Sequence, residues 1–144
     1  MAEQQTYANH TRWYPLVHFV IFPLIVINLI WAIVCTVMYF DWFRVQYLIL
    51  SMGTALLVFA SRQQALIVQD RLIRFEERVR YREILPVELS SRFDEIDVNK
   101  IIALRFASDA ELAGLVQQVL EVKLTTSKEI KMAIKDWKGD YLRV

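Results

Sequence analysis

The chain has 144 residues, 56% of them hydrophobic, a formal net charge of +1 and a mean hydropathy of +0.30. That is too apolar for an ordinary soluble domain of this length, and the balance of charge gives no electrostatic footprint for nucleic acid. A single cysteine, Cys35, excludes an internal disulfide and a thiolate metal site, and three glycines and three prolines leave little room for linkers or β-turns.

Residues 1–12 are polar and lack periodicity. Asn9-His10-Thr11 matches the glycosylation acceptor pattern but falls on the cytoplasmic side in the topology argued below, and is read as a chance match. Between Arg12 and Asp41 lie 28 residues without Lys, Arg, Asp or Glu, more than the roughly 20 needed to cross a bilayer. The run is too long for a signal peptide, and no small-residue cleavage site closes it. Ile33-Val34-Cys35 is no lipoprotein site either, because Val34 is bulky. The first span is placed at about residues 14–40. Pro23 is expected to kink it or to mark where regular helix begins. Trp13 and Tyr14 at one end, and Tyr39, Phe40, Trp42 and Phe43 at the other, suit the two headgroup layers.

Asp41-Trp42-Phe43-Arg44 is the connection to a second span at about 43–61, which makes residues 13–61 a tight antiparallel hairpin. Asn28, Ala32, Cys35 and Thr36 share one helical face and are matched with Ser51, Thr54 and Ala55 on the second span. Small and hydroxylated residues let helices pack closely in lipid. Six arginines (Arg62, Arg71, Arg74, Arg78, Arg80, Arg82) follow the second span, whereas the connection holds only Arg44. The positive-inside rule then puts both termini in the cytoplasm of a bacterial inner membrane.

From Val45 to Leu85 no proline interrupts the pattern, and no glycine after Gly53, so one long helix of roughly 60 Å is predicted. A seam at alternating spacings of four and three runs along it: Tyr47, Ser51, Thr54, Val58, Ser61, Ala65, Val68, Leu72, Phe75, Val79. It turns from small or hydroxylated to apolar where charges begin, placing a membrane surface near Arg62. Residues 62–85 are the amphipathic extension of the span, with Asp70–Arg74 and Glu76–Arg80 as i,i+4 pairs. Pro86 ends it.

Residues 86–144 read as a small bundle of short helices. Asp97 caps one that carries Val98, Ile101, Ile102 and Phe106. Ser108-Asp109-Ala110-Glu111 and Thr126-Ser127-Lys128-Glu129 are capping boxes. The second opens a helix burying Ile130, Ala133, Ile134 and Trp137 and stopping at Gly139. The bundle is expected to pack on Leu72, Phe75 and Val79. The fold class is thus an all-α membrane protein: a two-helix transmembrane hairpin, its second helix extended into the cytoplasm, followed by the bundle.

Chemistry is sparse. His18, inside the first span, is the one residue placed to bind a cofactor, as the axial ligand of a chlorophyll or haem; a bis-His haem lacks its second intramembrane histidine. An imidazole hydrogen-bonded within the helix pair or to lipid headgroups is the plainer reading. Asn28 suits an interhelical hydrogen bond. Neither span holds an acid or base for an ion path. Lys128, Lys131, Lys135 and Lys138 share a face that reads as solvated, with contact to anionic headgroups or an acidic partner as the alternative. No nucleophile–base set, metal cluster or glycine-rich phosphate loop is present, so no enzymatic activity is expected.

Several strings are distinctive: Gln5 to Arg12 with Pro15 and His18, Gln69 to Arg74, Leu104 to Leu112, and Ile130-Lys131 through Asp136-Trp137 to the ending Asp140 to Val144. In these the chain resembles a bacterial family of small two-span inner-membrane proteins grouped as a domain of unknown function. The resemblance spans nearly the whole chain and implies the same architecture, with no catalytic residue to carry over. The expected role is a non-enzymatic accessory or structural subunit of a larger membrane complex, with an energy-transducing one, photosynthetic or respiratory, as the expected class. The lipid bilayer and that complex are the expected partners, and no cofactor is expected beyond a tetrapyrrole or lipid contact. Tyr7, Ile21, Phe22, Leu29 and Trp31 would face the partner. The alternatives are a tetrapyrrole-binding subunit using His18 and a free-standing membrane-anchored interaction module.

Overall fold

The computed structural model describes residues 6–7 and 13–140, and every named element in them is a helix. Most of residues 1–12, with Asn9-His10-Thr11, and the ending Tyr141 to Val144 lie outside the described residues. The chain divides into two compact units, Trp13–Leu66 and a second that runs from Ile67 onward.

The first unit is a helical hairpin. A π-helical turn, Leu16–Ile21, passes into α1, Phe22–Met38. Pro23 lies in the first turn of α1, where a missing N–H costs nothing. The turn before it is widened, so that Phe22 N–H donates to Val17 O, five residues back. Pro23 thus marks the start of regular helix. After Tyr39, Phe40 and Asp41, α2 runs uninterrupted from Trp42 to Ile84. The connection is therefore shorter and earlier than Asp41–Arg44. Asp41 begins the helix by accepting from Phe43 N–H at 3.4 Å. Arg44, on the first turn of α2, donates to the Tyr39 carbonyl and stacks on the Tyr39 ring, 5.2 Å from its centre. A guanidinium there satisfies a carbonyl at the end of α1 and complements its dipole.

Two stretches are long and apolar enough to cross a membrane, Leu16–Met38 and part of Trp42–Ile84, with mean hydropathies of 2.6 and 1.6; only 6% of each apolar window is buried within the protein.

The second unit combines α2 from Ile67 onward with α3 (Val87–Ser90), a 3-10 turn (Phe93–Glu95), α4 (Val98–Leu104), α5 (Asp109–Leu120) and α6 (Ser127–Ala133). The end of α2 is thus part of the bundle's own core. Tyr81 and Leu85 are buried with Phe93, Ile101, Leu104, Phe106, Leu112, Val116 and Ile130. Burial of a large apolar side chain is worth about 1.5–3 kcal/mol.

The bundle covers a different face of α2 from Leu72, Phe75 and Val79. Ile73, Glu77, Arg80, Tyr81 and Leu85 are buried, whereas Leu72, Phe75 and Val79 are 55, 65 and 42% exposed. Helix α2 has two apolar stripes, and the buried one is disguised by Glu77 and Arg80, which hydropathy assigns to solvent. Neither i,i+4 pair forms: Arg74 reaches Asp94 at 3.1 Å, and Arg80 binds Glu77 and Asp109.

Asp97 caps α4 through Asn99 N–H at 2.8 Å, and the capping box of Thr126 and Glu129 is complete. The one expected at Ser108 is not, because the Glu111 carboxylate accepts instead from Lys135 and Asp136 N–H, both at 3.2 Å. Those bonds also explain why α6 stops at Ala133, short of Gly139. Beyond it the chain bends at Lys135 and Asp136, Ala107 and Trp137 form an isolated antiparallel bridge, and Lys138 N–H donates to Phe106 O at 2.8 Å. At the end of α5, Val122 takes a left-handed conformation, φ 61°.

Candidate functional site

Within the hairpin the small and polar residues meet as follows. Asn28 Nδ2 donates to the Tyr47 hydroxyl. Ala32 and Ser51 are buried. The Thr36 hydroxyl lies 2.8 Å from Ala32 O and 3.2 Å from Arg44 O, the second across the hairpin. Thr54 is exposed and returns its hydroxyl to Leu50 O at 2.9 Å; Ala55 and Cys35 are half-buried. A groove lined by Leu24, Ile25, Asn28, Tyr47, Leu50, Ser51 and Thr54 runs along this side. The partner of Asn28 is therefore Tyr47, the first residue of the seam.

His18 sits in the π-helical turn, half-buried, with Nδ1 2.9 Å from Tyr14 O and 3.2 Å from Tyr14 N. Whichever tautomer is present, one of these bonds forms and Nε2 is left over. Trp13 and Phe22 stand edge-on to the ring at 5.0 and 5.8 Å. The imidazole is thus held by its own helical turn and enclosed by aromatic groups. Of the residues assigned to partner contact, Trp31 is 65% and Tyr7 40% exposed, while Ile21, Phe22 and Leu29 are half-buried and have less surface to offer.

The most organised polar cluster is one the sequence did not signal. Arg80, on α2, is buried in the bundle. Its Nε and Nη2 lie 2.9 and 2.6 Å from Asp109 Oδ1, Nη2 donates to Ala107 O at 2.6 Å, and Nη1 contacts the Glu77 carboxylate at 3.2 Å. Asp109 stands in the first turn of α5, where a carboxylate is also favoured by the helix dipole. Burial pushes the Glu77 carboxyl above its ordinary range although Arg80 opposes the shift, whereas the Arg80 hydrogen bond holds Asp109 below its own. Next to it, Arg105 Nε holds Asp140 Oδ2 at 3.0 Å and its guanidinium stacks on Phe106, 4.2 Å from the ring centre. Lys138 Nζ stands 3.8 Å from Asp109, and Lys131 lies 5.7 Å from the Phe106 ring centre, so two of the four lysines are engaged with the bundle. Burial likewise raises the Tyr81 pKa, and among the described residues the Tyr81 hydroxyl has no hydrogen-bond partner.

Chemically this arrangement ties α2 to the segment between α4 and α5. Buried arginine with two carboxylates and the carbonyls of Ala107 and Arg105, the second at 3.4 Å from Nη1, is a geometric lock, costly to break because it would leave charge in the core. Among the described residues no group of three or more His, Cys, Asp or Glu is placed to hold a metal ion.

These features define an all-helical protein with two helices apolar enough to cross a membrane, and a small bundle built on the end of the second. Over residues 1–144 the chain matches the Family of unknown function (DUF6526), and it belongs to that family. No curated protein and no solved structure matches it.

Proposed function

We propose that the chain is a bacterial inner-membrane protein whose hairpin inserts with both termini in the cytoplasm, and whose bundle serves a larger membrane complex as a non-enzymatic accessory or structural subunit. One observation carries this reading. Both apolar helices are 6% buried over their apolar windows, where the core helix of a soluble protein would be mostly covered. The arginines after Ser61 supply the orientation. Exposed Phe19, Leu24, Ile27, Ile30 and Trp31 supply surface for lipid or a protein neighbour, and Tyr7, Ile21, Phe22 and Leu29 would extend that contact. In lipid such contacts gain packing rather than hydrophobic energy, so single substitutions should cost about 1 kcal/mol or less.

Gentle detergent extraction, with particle size and visible absorbance followed together, tests the reading. It expects the chain in a reproducible assembly much larger than itself, and colourless once isolated. An energy-transducing complex is the first class of partner to look for. Tetrapyrrole absorbance that stays with the purified chain and is lost in His18→Ala would replace the accessory reading with a cofactor-binding one. A colourless chain without companions would replace it with a free-standing membrane-anchored module.

A further inference from the structure

In the second unit α2 carries an apolar stripe that no described residue covers. Val68, Leu72, Phe75 and Val79 follow one another at spacings of four, three and four and are 65, 55, 65 and 42% exposed. At 3.6 residues per turn they lie roughly half a turn around the helix from Ile73, Glu77, Arg80 and Tyr81, the face that the bundle occupies. The alternation is a heptad repeat, with Leu72 and Val79 at the a position and Val68 and Phe75 at the d position.

The charges beside the stripe identify what it fits. The g positions hold Arg71 and Arg78, and the e positions of the following heptads hold Glu76 and Glu83. In a parallel, in-register pair of identical helices each g residue faces the e residue five places further along on the other helix. Arg71 then meets Glu76, and Arg78 meets Glu83, in both directions. An antiparallel pair would set arginine against arginine and glutamate against glutamate. Arg71, Glu76 and Glu83 are exposed and form no ion pair among the described residues. Arg78 already holds Asp94 and stacks on Phe93, so Arg71 with Glu76 is the pair with both ends available.

We propose that this face is the contact with a second copy of the same chain, paired as a parallel, in-register coiled coil along Val68, Leu72, Phe75 and Val79. The contact goes beyond the accessory role and does not depend on it. A shared direction of insertion would present two stripes in this orientation, but the charge order requires it by itself. Two heptads make a weak contact in dilute solution, so the association is to be measured at the density of the membrane.

The test uses the full-length chain in its membranes, in a Cys35→Ala background, with Leu72→Cys or Phe75→Cys and mild oxidation. Two differently tagged copies should become disulfide-linked to each other at both positions. Val122→Cys, equally exposed but off the stripe, should link far less. Arg71→Glu should weaken association about tenfold by turning attraction into repulsion on both sides, and Arg71→Glu with Glu76→Arg should restore it. If Arg71→Glu fails to accumulate, the comparison of Leu72→Cys and Phe75→Cys with Val122→Cys decides alone. Absence of a linked pair at both stripe positions, equal linking at Val122→Cys, an adduct with a different protein, or no rescue by the double exchange would each overturn the proposal. Loss of the large assembly with the linked pair retained would count against the accessory reading only.

Discussion

Arg80 holds Asp109 from 29 positions away, with Nε and Nη2 at 2.9 and 2.6 Å from the same carboxylate oxygen, while its remaining nitrogen faces Glu77. This contact fixes α5 to α2, and it makes the end of a candidate membrane helix inseparable from the bundle's core.

Breaking the lock by Arg80→Met would leave the buried Glu77 carboxylate without its cation. The expected loss is about 3–5 kcal/mol. Adding Glu77→Gln to Arg80→Met should recover much of it, because the stranded charge is gone. Thermal unfolding in detergent, followed by circular dichroism, reads both. A loss under 1 kcal/mol for Arg80→Met would mean the cluster is not the tie described.

Glu77 also gives a dependence on pH with a definite sign. Its folded pKa is raised by burial above the unfolded value of 4.5, so its contribution is most favourable below the unfolded value and is lost as pH rises through the folded one. Glu77→Gln should therefore match the parent near pH 4.5 and become the more stable of the two as neutral pH is approached. Asp109 acts in the opposite sense, its lowered pKa contributing stability that is lost in acid, and it cancels in the difference between the two proteins. A Glu77→Gln variant less stable than the parent at neutral pH would show attraction to Arg80 outweighing the cost of burial.

Val122 follows α5 in a left-handed conformation that a β-branched residue rarely adopts. Val122 is 69% exposed, so little packing is lost by removing its side chain. Val122→Gly should stabilise the bundle by about 1 kcal/mol, read as a rise in unfolding temperature. A fall would mean that the side chain makes a contact worth more than the strain.

Local chemistry in this chain was legible from the sequence where neighbours alone decide the outcome. Pro23 begins regular helix, Asp97 caps α4, and the Thr126–Glu129 box closes. The all-helical class follows from the scarcity of glycine and proline and from long uninterrupted periodicity. Contacts between distant segments were not legible. Nothing in spacing couples Arg80 to Asp109, or Glu111 to the backbone of Lys135 and Asp136, yet those bonds cancel one capping box and end α6 early. The covered face of α2 is hidden in the sequence for a related reason. Two apolar stripes compete there, and the one carrying Glu77 and Arg80 is the one covered, because its charges find partners inside the bundle. Asn28 is marked by its polarity in an apolar run, whereas nothing in the sequence singles out its partner Tyr47 from the rest of the seam.

We propose that the hairpin crosses the membrane twice and returns the chain to the side it came from. Reporter fusions placed after Met1 and after Val144 of the full-length chain measure this most directly. Both are predicted to report the cytoplasm, with the protein in the membrane fraction and resistant to extraction by salt. A periplasmic signal from either end, or recovery of the chain in the soluble fraction, would contradict it.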